Sequence, residues 1–325
     1  MKLLATVTAS ALAASWEYPE TFGVDGSSWG DECTDQVRGS PIDLDYTYRN
    51  FHFMDCAENW NMTGYDQQAS WNFADNEHTI VLTSDDYDAK FSGGHIGNEY
   101  QFHSFHFHWG DKAGQGGSEH TINGHHTFAE VHFVHYRSDI DLVTGLGLGD
   151  GLAVLGFMIE VTDGDESNEA IGELARRLRW HSNKQGNEDG SFRHFDFSIS
   201  NLIEGVDLSN FYRYEGSLTT PPCSEAVQWT VFKDPIRISR QTAANLLRSA
   251  DLADEHIEDN FRPVQPLADR NVIFYSDSSA AFKAAFRNER NFDREREFRD
   301  YDWLNNYHED DHHHDHEHDH HHDDE

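Results

Sequence analysis

The chain has 325 residues, with 59 acidic against 24 basic side chains and a formal net charge of −35. Such a charge repels nucleic acid and anionic membrane surfaces, which excludes both as partners. Aromatic residues make up 13% of the chain, enough for a sizeable core, and the length allows one large domain or two small ones. The acidic balance suits high salt or proximity to cations such as Ca²⁺, and equally suits a well-solvated secreted protein.

The N-terminus, MKLLATVTASALAAS, joins Lys2 to an apolar run and small residues at Ala11 and Ala13. This pattern predicts a cleaved secretory leader over residues 1–15. No later run is apolar enough for a membrane span. Cys33, Cys56 and Cys223 then reach an oxidising compartment, where two can pair in any of three ways. Asn61-Met62-Thr63 is a glycosylation sequon, in keeping with secretion.

Strand-like runs dominate the middle: HTIVLTS (78–84), FHSFHFHWG (102–110), EVHFVHYR (130–137), LAVLGFMIEV (152–161) and AVQWTVF (226–232). Glycine-rich turn signals separate them, at 92–94, 114–117, 123–124 and 145–151. Two helices are expected. Ser167 is placed to cap one running through Arg179, with Ile171, Leu174 and Leu178 inward. Ser239 is placed to cap another, with Ala243, Leu246 and Leu247 inward. Beyond Tyr275, residues 276–306 mix charges with Phe and Ala and suit a short amphipathic helix. Residues 308–325, HEDDHHHDHEHDHHHDDE, hold nine His and nine acidic residues and cannot build a core. A disordered tail binding Zn²⁺, Ni²⁺ or Cu²⁺ is expected there, tightest above about pH 6.5 where imidazole is neutral.

The stretch FHFHWG (105–110) carries the chemistry. Successive side chains of a strand point to opposite faces, so His106 and His108 share one face and Phe105, Phe107 and Trp109 the other. Two imidazoles side by side suit a metal, and catalytic zinc takes three protein ligands. The next strand, AEVHFVHY (129–136), offers His132 and Glu130 on one face and His135 on the other. If it lies beside 102–110, His132 completes a three-histidine set, and Glu130 can accept a ligand's N–H.

With these residues the chain resembles the α-class carbonic anhydrases, in their secreted form, from about Trp16 to Tyr275. The resemblance is carried by SPIDL (40–44), FHFHWG (105–110), GSEHT (117–121), AEVHFVH (129–135), GSLTTPPC (216–223) and FRPVQPL (261–267), in that order. It implies a mostly β fold: a central, largely antiparallel ten-stranded twisted sheet with small peripheral helices. The implied catalytic domain spans 16–275, followed by a C-terminal extension over 276–325. The implied zinc ligands are His106, His108 and His132, with Glu119 and Thr219 beside the zinc-bound hydroxide. The implied substrate wall is Val134, Val154, Leu218, Val227 and Trp229, with Thr220 on the wetter side. His78 in NEHTI resembles the family's proton-shuttle histidine, and Tyr18 and Asn76 resemble its water-ordering residues. Cys33 and Cys223 match the disulfide of secreted members, leaving Cys56 over.

One position departs from the family. Two before His106, where the pattern has a Gln that bonds the first ligand, stands Ser104. Its shorter reach predicts weaker metal binding rather than lost activity. The expected activity is zinc-dependent, reversible hydration of CO₂ to bicarbonate and a proton. Three neutral imidazoles leave the ion's full charge to bring the pKa of its water from 15.7 to about 7, an effect for which carbonic anhydrase is the standard case. The competing readings are an acidic secreted metal-binding or mineral-matrix protein with weak or no catalysis, and a zinc scavenger acting through its tail.

Overall fold

The computed structural model describes residues 18, 29–34, 36–55, 58–75, 78–111, 116–163, 167–182, 195–249 and 257–277. The leader at 1–15, Cys56, Asn76 and residues 278–325 lie outside the described set, and with them the expected amphipathic segment and the His/Asp-rich tail.

The described residues form twelve strands and five short helices. In chain order these are α1 (Asp31–Thr34), β1 (Phe51–Asp55), β2 (Trp60–Thr63), β3 (Ala69–Asp75), β4 (Ile80–Thr83), β5 (Lys90–Gly93), β6 (Tyr100–Trp109), β7 (Ala129–Arg137), α2 (Leu142–Gly145), β8 (Leu152–Thr162), α3 (Glu169–Ser182), β9 (Phe195–Phe197), α4 (Ile199–Leu202), β10 (Phe211–Gly216), β11 (Val227–Ser239), α5 (Arg240–Ser249) and β12 (Val272–Ser276). Ten strands lie along one sheet in the order β1-β12-β10-β11-β8-β7-β6-β4-β3-β9, and β2 and β5 join it through β6. Pairing is antiparallel except at β1/β12 and β8/β11, which are parallel. The expected mostly β fold with a large, largely antiparallel sheet is what the chain adopts. No helix among the described residues is long and apolar enough to cross a membrane.

Alternation divides the central strands into two faces. On one face Trp71, Phe105, Phe107, Phe133, Phe157 and Phe232 form an aromatic core. Helix α3 lays Ile171, Leu174 and Leu178 on it, and α5 adds Ala243, Leu246 and Leu247, all at most 5% exposed. Burying each large side chain contributes about 1.5–3 kcal/mol. The opposite face holds a second apolar cluster that includes Ile42, Leu44, Val154, Tyr214, Val227 and Trp229.

Local signals set the helix starts. Ser239 Oγ accepts from Thr242 N (3.1 Å) at the start of α5, as the sequence predicts. At α3 the capping oxygen is instead Asn168 Oδ1, which accepts from Ile171 N (2.9 Å). Ser167 Oγ is drawn away to accept from Ser239 N (2.9 Å), tying the two helix starts together. Cys33 and Cys223 form a disulfide. It closes a 190-residue separation and anchors the end of the 216–223 loop to α1.

Arg262 makes a second long-range tie. Its guanidinium is fully buried and donates from Nη1 to Ser40 O (2.9 Å) and Gln36 Oε1 (2.9 Å), and from Nη2 to Cys33 O (2.6 Å). Its backbone N–H meanwhile reaches Glu119. The sequence stretches SPIDL and FRPVQPL are thus joined through a single side chain.

Candidate metal centre

Register places the histidines. On β6 and β7, His106 lies opposite His132 and His108 opposite Glu130. The same row continues from His132 to Gly156 on β8 and to Val231 on β11. The neighbouring row reads Ser104, Val134, Val154, Trp229 and Tyr214 across five strands. A line of nitrogen donors therefore runs beside a line that is mostly apolar. Each of His106, His108 and His132 offers a ring nitrogen, and the three lie within 4.8 Å of one another.

The other ring nitrogens are fixed from behind. His108 Nδ1 donates to Asn260 O (2.7 Å), and His132 Nε2 donates to Glu130 Oε1 (2.8 Å). That leaves His108 Nε2 and His132 Nδ1 facing inward. His108 Nε2 is buried without a hydrogen-bond partner. A buried unpaired nitrogen costs free energy unless something fills its lone pair. Three ring nitrogens within reach of one point are a donor set that fits zinc. Burial and mutual proximity keep two of them neutral: His106 is held well below the usual imidazole range, and His108 is pushed down to about 3. His106 has no hydrogen-bond partner among the described residues, and Ser104, buried on the same face, makes no bond to it.

Glu130 sits wholly inside the protein yet is held charged. Burial raises its pKa, but His120 and His132 outweigh that and bring it well below the carboxylate range. Besides His132 it accepts from His120 N (2.8 Å) and His120 Nδ1 (2.8 Å). His120 Nε2 is hydrogen-bonded to the Tyr214 hydroxyl (2.7 Å), which is bonded in turn to Ser40 Oγ (2.9 Å). Gly156 makes room for this carboxylate, since a Cβ there would stand 2.9 Å from Glu130 Oε1. Sequence reasoning missed His120, Tyr214, Asn260 and Gly156. His120 adjoins Glu119 in GSEHT and was open to the same scrutiny, whereas a lone Asn or Gly in a strand or loop gives no such signal.

Glu119 is fully buried. Its Oε1 accepts from Arg262 N (2.9 Å), and its Oε2 lies 3.4 Å from His108 Nε2 and 3.8 Å from His132 Nδ1. Burial raises its pKa, while His132, the Thr219 hydroxyl and the Arg262 N–H pull it back. Val154, Val227 and Trp229 are buried and packed together, with Val134 and Leu218 against them. The Trp229 ring lies 4.8 Å from that of His132, and its Nε1 donates to Ser217 O (3.0 Å). Thr220 O accepts from Cys223 N (2.9 Å), shaping the loop.

His78 lies just before β4, and its carbonyl accepts from Asn260 Nδ2 (3.1 Å), the same asparagine that fixes His108. Its ring is 6.3 Å from Tyr18. Tyr18 is partly buried with its hydroxyl inside, and its phenol pKa is raised by burial and then by Glu119, so the two sit within electrostatic reach. Asn61 is exposed on β2. His135, on the other face of β7, is bonded to the Tyr65 hydroxyl (2.6 Å) and donates from Nδ1 to Phe133 O (2.9 Å), so it is a satisfied core residue.

Comparison with known proteins meets this geometry. Residues 24–276 match the family described as eukaryotic-type carbonic anhydrase. The chain belongs to that family. It is 34% identical to carbonic anhydrase 4 of Rattus norvegicus over 219 residues, covering 66% of this chain and 68% of that protein. It is 33% identical to putative carbonic anhydrase 5 of Caenorhabditis elegans over 268 residues, covering 80% and 81%. Human carbonic anhydrase 12 matches at 32% over 273 residues, covering 80% and 72%. A carbonic anhydrase is a zinc enzyme, and the histidine cluster can hold the ion.

The depressed histidines couple stability to pH in the metal-free protein. For His106, His108 and His135 the unfolded chain binds the proton more readily below about pH 6.5. Stability therefore falls as pH drops through 6.5, by up to about 1.4 kcal/mol per pH unit for each such histidine. Glu130 adds to the loss once pH passes below the ordinary carboxylate range, as its depressed folded pKa is approached. Urea midpoints of the metal-free protein at pH 7.5, 6.5 and 5.5 should decline in that order. A constant midpoint would contradict the burial of neutral imidazoles.

Proposed function

We propose that His106, His108 and His132 hold the zinc of a secreted carbonic anhydrase interconverting CO₂ with bicarbonate and a proton. The observation that carries this is the convergence of three ring nitrogens beside an apolar row, backed by Asn260 and Glu130. Bound zinc supplies the Lewis acidity that makes water a nucleophile near neutral pH.

The chain's own residues do the rest. Thr219 donates its hydroxyl proton to the Glu119 carboxylate, so its oxygen has only lone pairs to offer the reacting water. The water must then donate to Thr219, which aims its own lone pair away from Thr219 and toward the substrate. Arg262 N–H fixes Glu119 from the far side. Val134, Val154, Leu218, Val227 and Trp229 hold apolar CO₂ without hydrogen bonds that would have to break, and Thr220 faces the wetter side. His78, with Tyr18 and Asn76 ordering water nearby, carries the released proton outward. Among the described residues, Ser104 leaves His106 as the one ligand without a bonded second nitrogen.

Secretion is supported by the leader over 1–15, the exposed sequon at Asn61 and the Cys33–Cys223 disulfide. The tail at 308–325 binds additional divalent cations, as its nine imidazoles and nine carboxylates favour. The catalytic domain spans 16–275 and the extension 276–325.

Two substitutions test these roles. Thr219→Ala should lower kcat/KM for CO₂ by about 100-fold, the cost of losing an oriented hydrogen-bonding group, and Thr219→Ser should restore most of it. Equal rates for Thr219, Ala and Ser would remove the residue from the mechanism. Ser104→Gln, by giving His106 an acceptor, should slow zinc loss to a chelator roughly tenfold. An unchanged release rate would show that His106 needs no such support.

A further inference from the structure

β6 is irregular between Phe102 and Ser104. Phe102 lies opposite His135 and Ser104 opposite Val134, so His103 is an extra residue with no cross-strand partner. The faces on either side of this bulge are settled. Phe102 and His135 belong to the aromatic core, their rings 5.4 Å apart. Ser104 and Val134 belong to the histidine face. His103 goes with the second pair: its ring meets that of Tyr136 edge-on, 6.4 Å away at 75°. Tyr136 shares the face of His132 and Val134 by alternation along β7 and packs on the apolar cluster that contains Trp229.

β6 thus presents His108, His106, Ser104 and His103 toward one side of the sheet. His108 is 1% exposed at the inner end, and His103 is open to solvent at the outer end. Three residues of strand separate His103 from His106, at most about 10 Å. His78 approaches the cluster from the other end, held beside His108 through Asn260.

We propose that His103 is a second proton acceptor of this enzyme, serving the end of the site away from His78. The inference rests on the reading of the site as a CO₂-hydrating centre. Hydration of one CO₂ by one water gives bicarbonate and one proton. The proton passes through cavity water to a neutral ring nitrogen of His103, forming the imidazolium. The imidazolium gives it to a buffer base, and the neutral ring returns. The groups around His103 allow both states. Tyr136 faces it from β7, and β4 ends at Thr83, followed by the exposed Asp85 and Asp86. Lys90 on β5 is engaged with Glu99 (3.6 Å), and His135 lies across the sheet in the core. Partial burial lowers the imidazole somewhat, which favours release to buffer.

Rapid-mixing CO₂ hydration by the full chain, in dilute and in concentrated buffer, tests the proposal with His78→Ala, His103→Gln and the double variant. In dilute buffer, kcat of His78→Ala should exceed that of the double variant by roughly 10- to 100-fold. Imidazole should rescue both, and kcat/KM should separate from kcat throughout. Equal kcat for His78→Ala and the double variant overturns the proposal. So does a wild-type kcat that ignores buffer concentration, since no acceptor then limits turnover. Absence of CO₂ hydration in the wild type would instead refute the reading of the site itself.

Discussion

The bond from His132 Nε2 to the buried Glu130 carboxylate is the contact around which the site is organised. A carboxylate with no exposure is costly unless its lone pairs are filled. Glu130 fills them with one ring N–H from His132 and both the backbone and ring N–H of His120. In return it fixes which nitrogen of His132 faces inward. His120 extends the same constraint through Tyr214 to Ser40, whose Oγ accepts from Ser217 N at 3.0 Å. The loop bearing Leu218, Thr219 and Thr220 is therefore positioned by the same network that orients a ligand histidine.

Sheet geometry explains why two chemistries adjoin. The His106–His132–Gly156 row and the Ser104–Val134–Val154–Trp229 row are alternate rungs of one ladder and so neighbours on one face, with the Phe105–Phe133–Leu155 rung between them turned to the other. Glycine at 156 is what lets the charged rung be accommodated, because any side chain there would collide with Glu130. On the reverse face the same strands supply Phe105, Phe107, Phe133 and Phe157 to the main core. A rigid aromatic layer thus backs the donors, and metal-site precision comes from strands rather than loops.

Much of this was legible because parity in a strand is a strong signal. FHFHWG and AEVHFVH assign His106, His108, His132 and Glu130 to one face and His135 to the other by alternation alone, and the pairing of β6 with β7 does the rest. The Cys33–Cys223 pair was legible only through resemblance, since counting left three pairings open. Long-range backbone partners were not legible at all. Asn260 is far from His108 in sequence, and nothing about a lone asparagine marks its carbonyl as a partner for an imidazole. The cap of α3 was misplaced by one residue because Ser167 and Asn168 are both good caps, and a tertiary contact to Ser239 decided between them. The bulge hides in the alternation, which alone would set His103 beside Phe105 on the core side; the extra residue turns it to the histidine side.

The central claim is that three imidazoles, two of them pointed by Asn260 and Glu130, grip one zinc ion. Zinc-edge X-ray absorption tests it most directly, on protein lacking residues 308–325 and loaded with one equivalent of zinc. The account predicts three imidazole nitrogens at about 2.0–2.1 Å with one further oxygen ligand. Two or fewer imidazoles, or a carboxylate in place of His132, would contradict it.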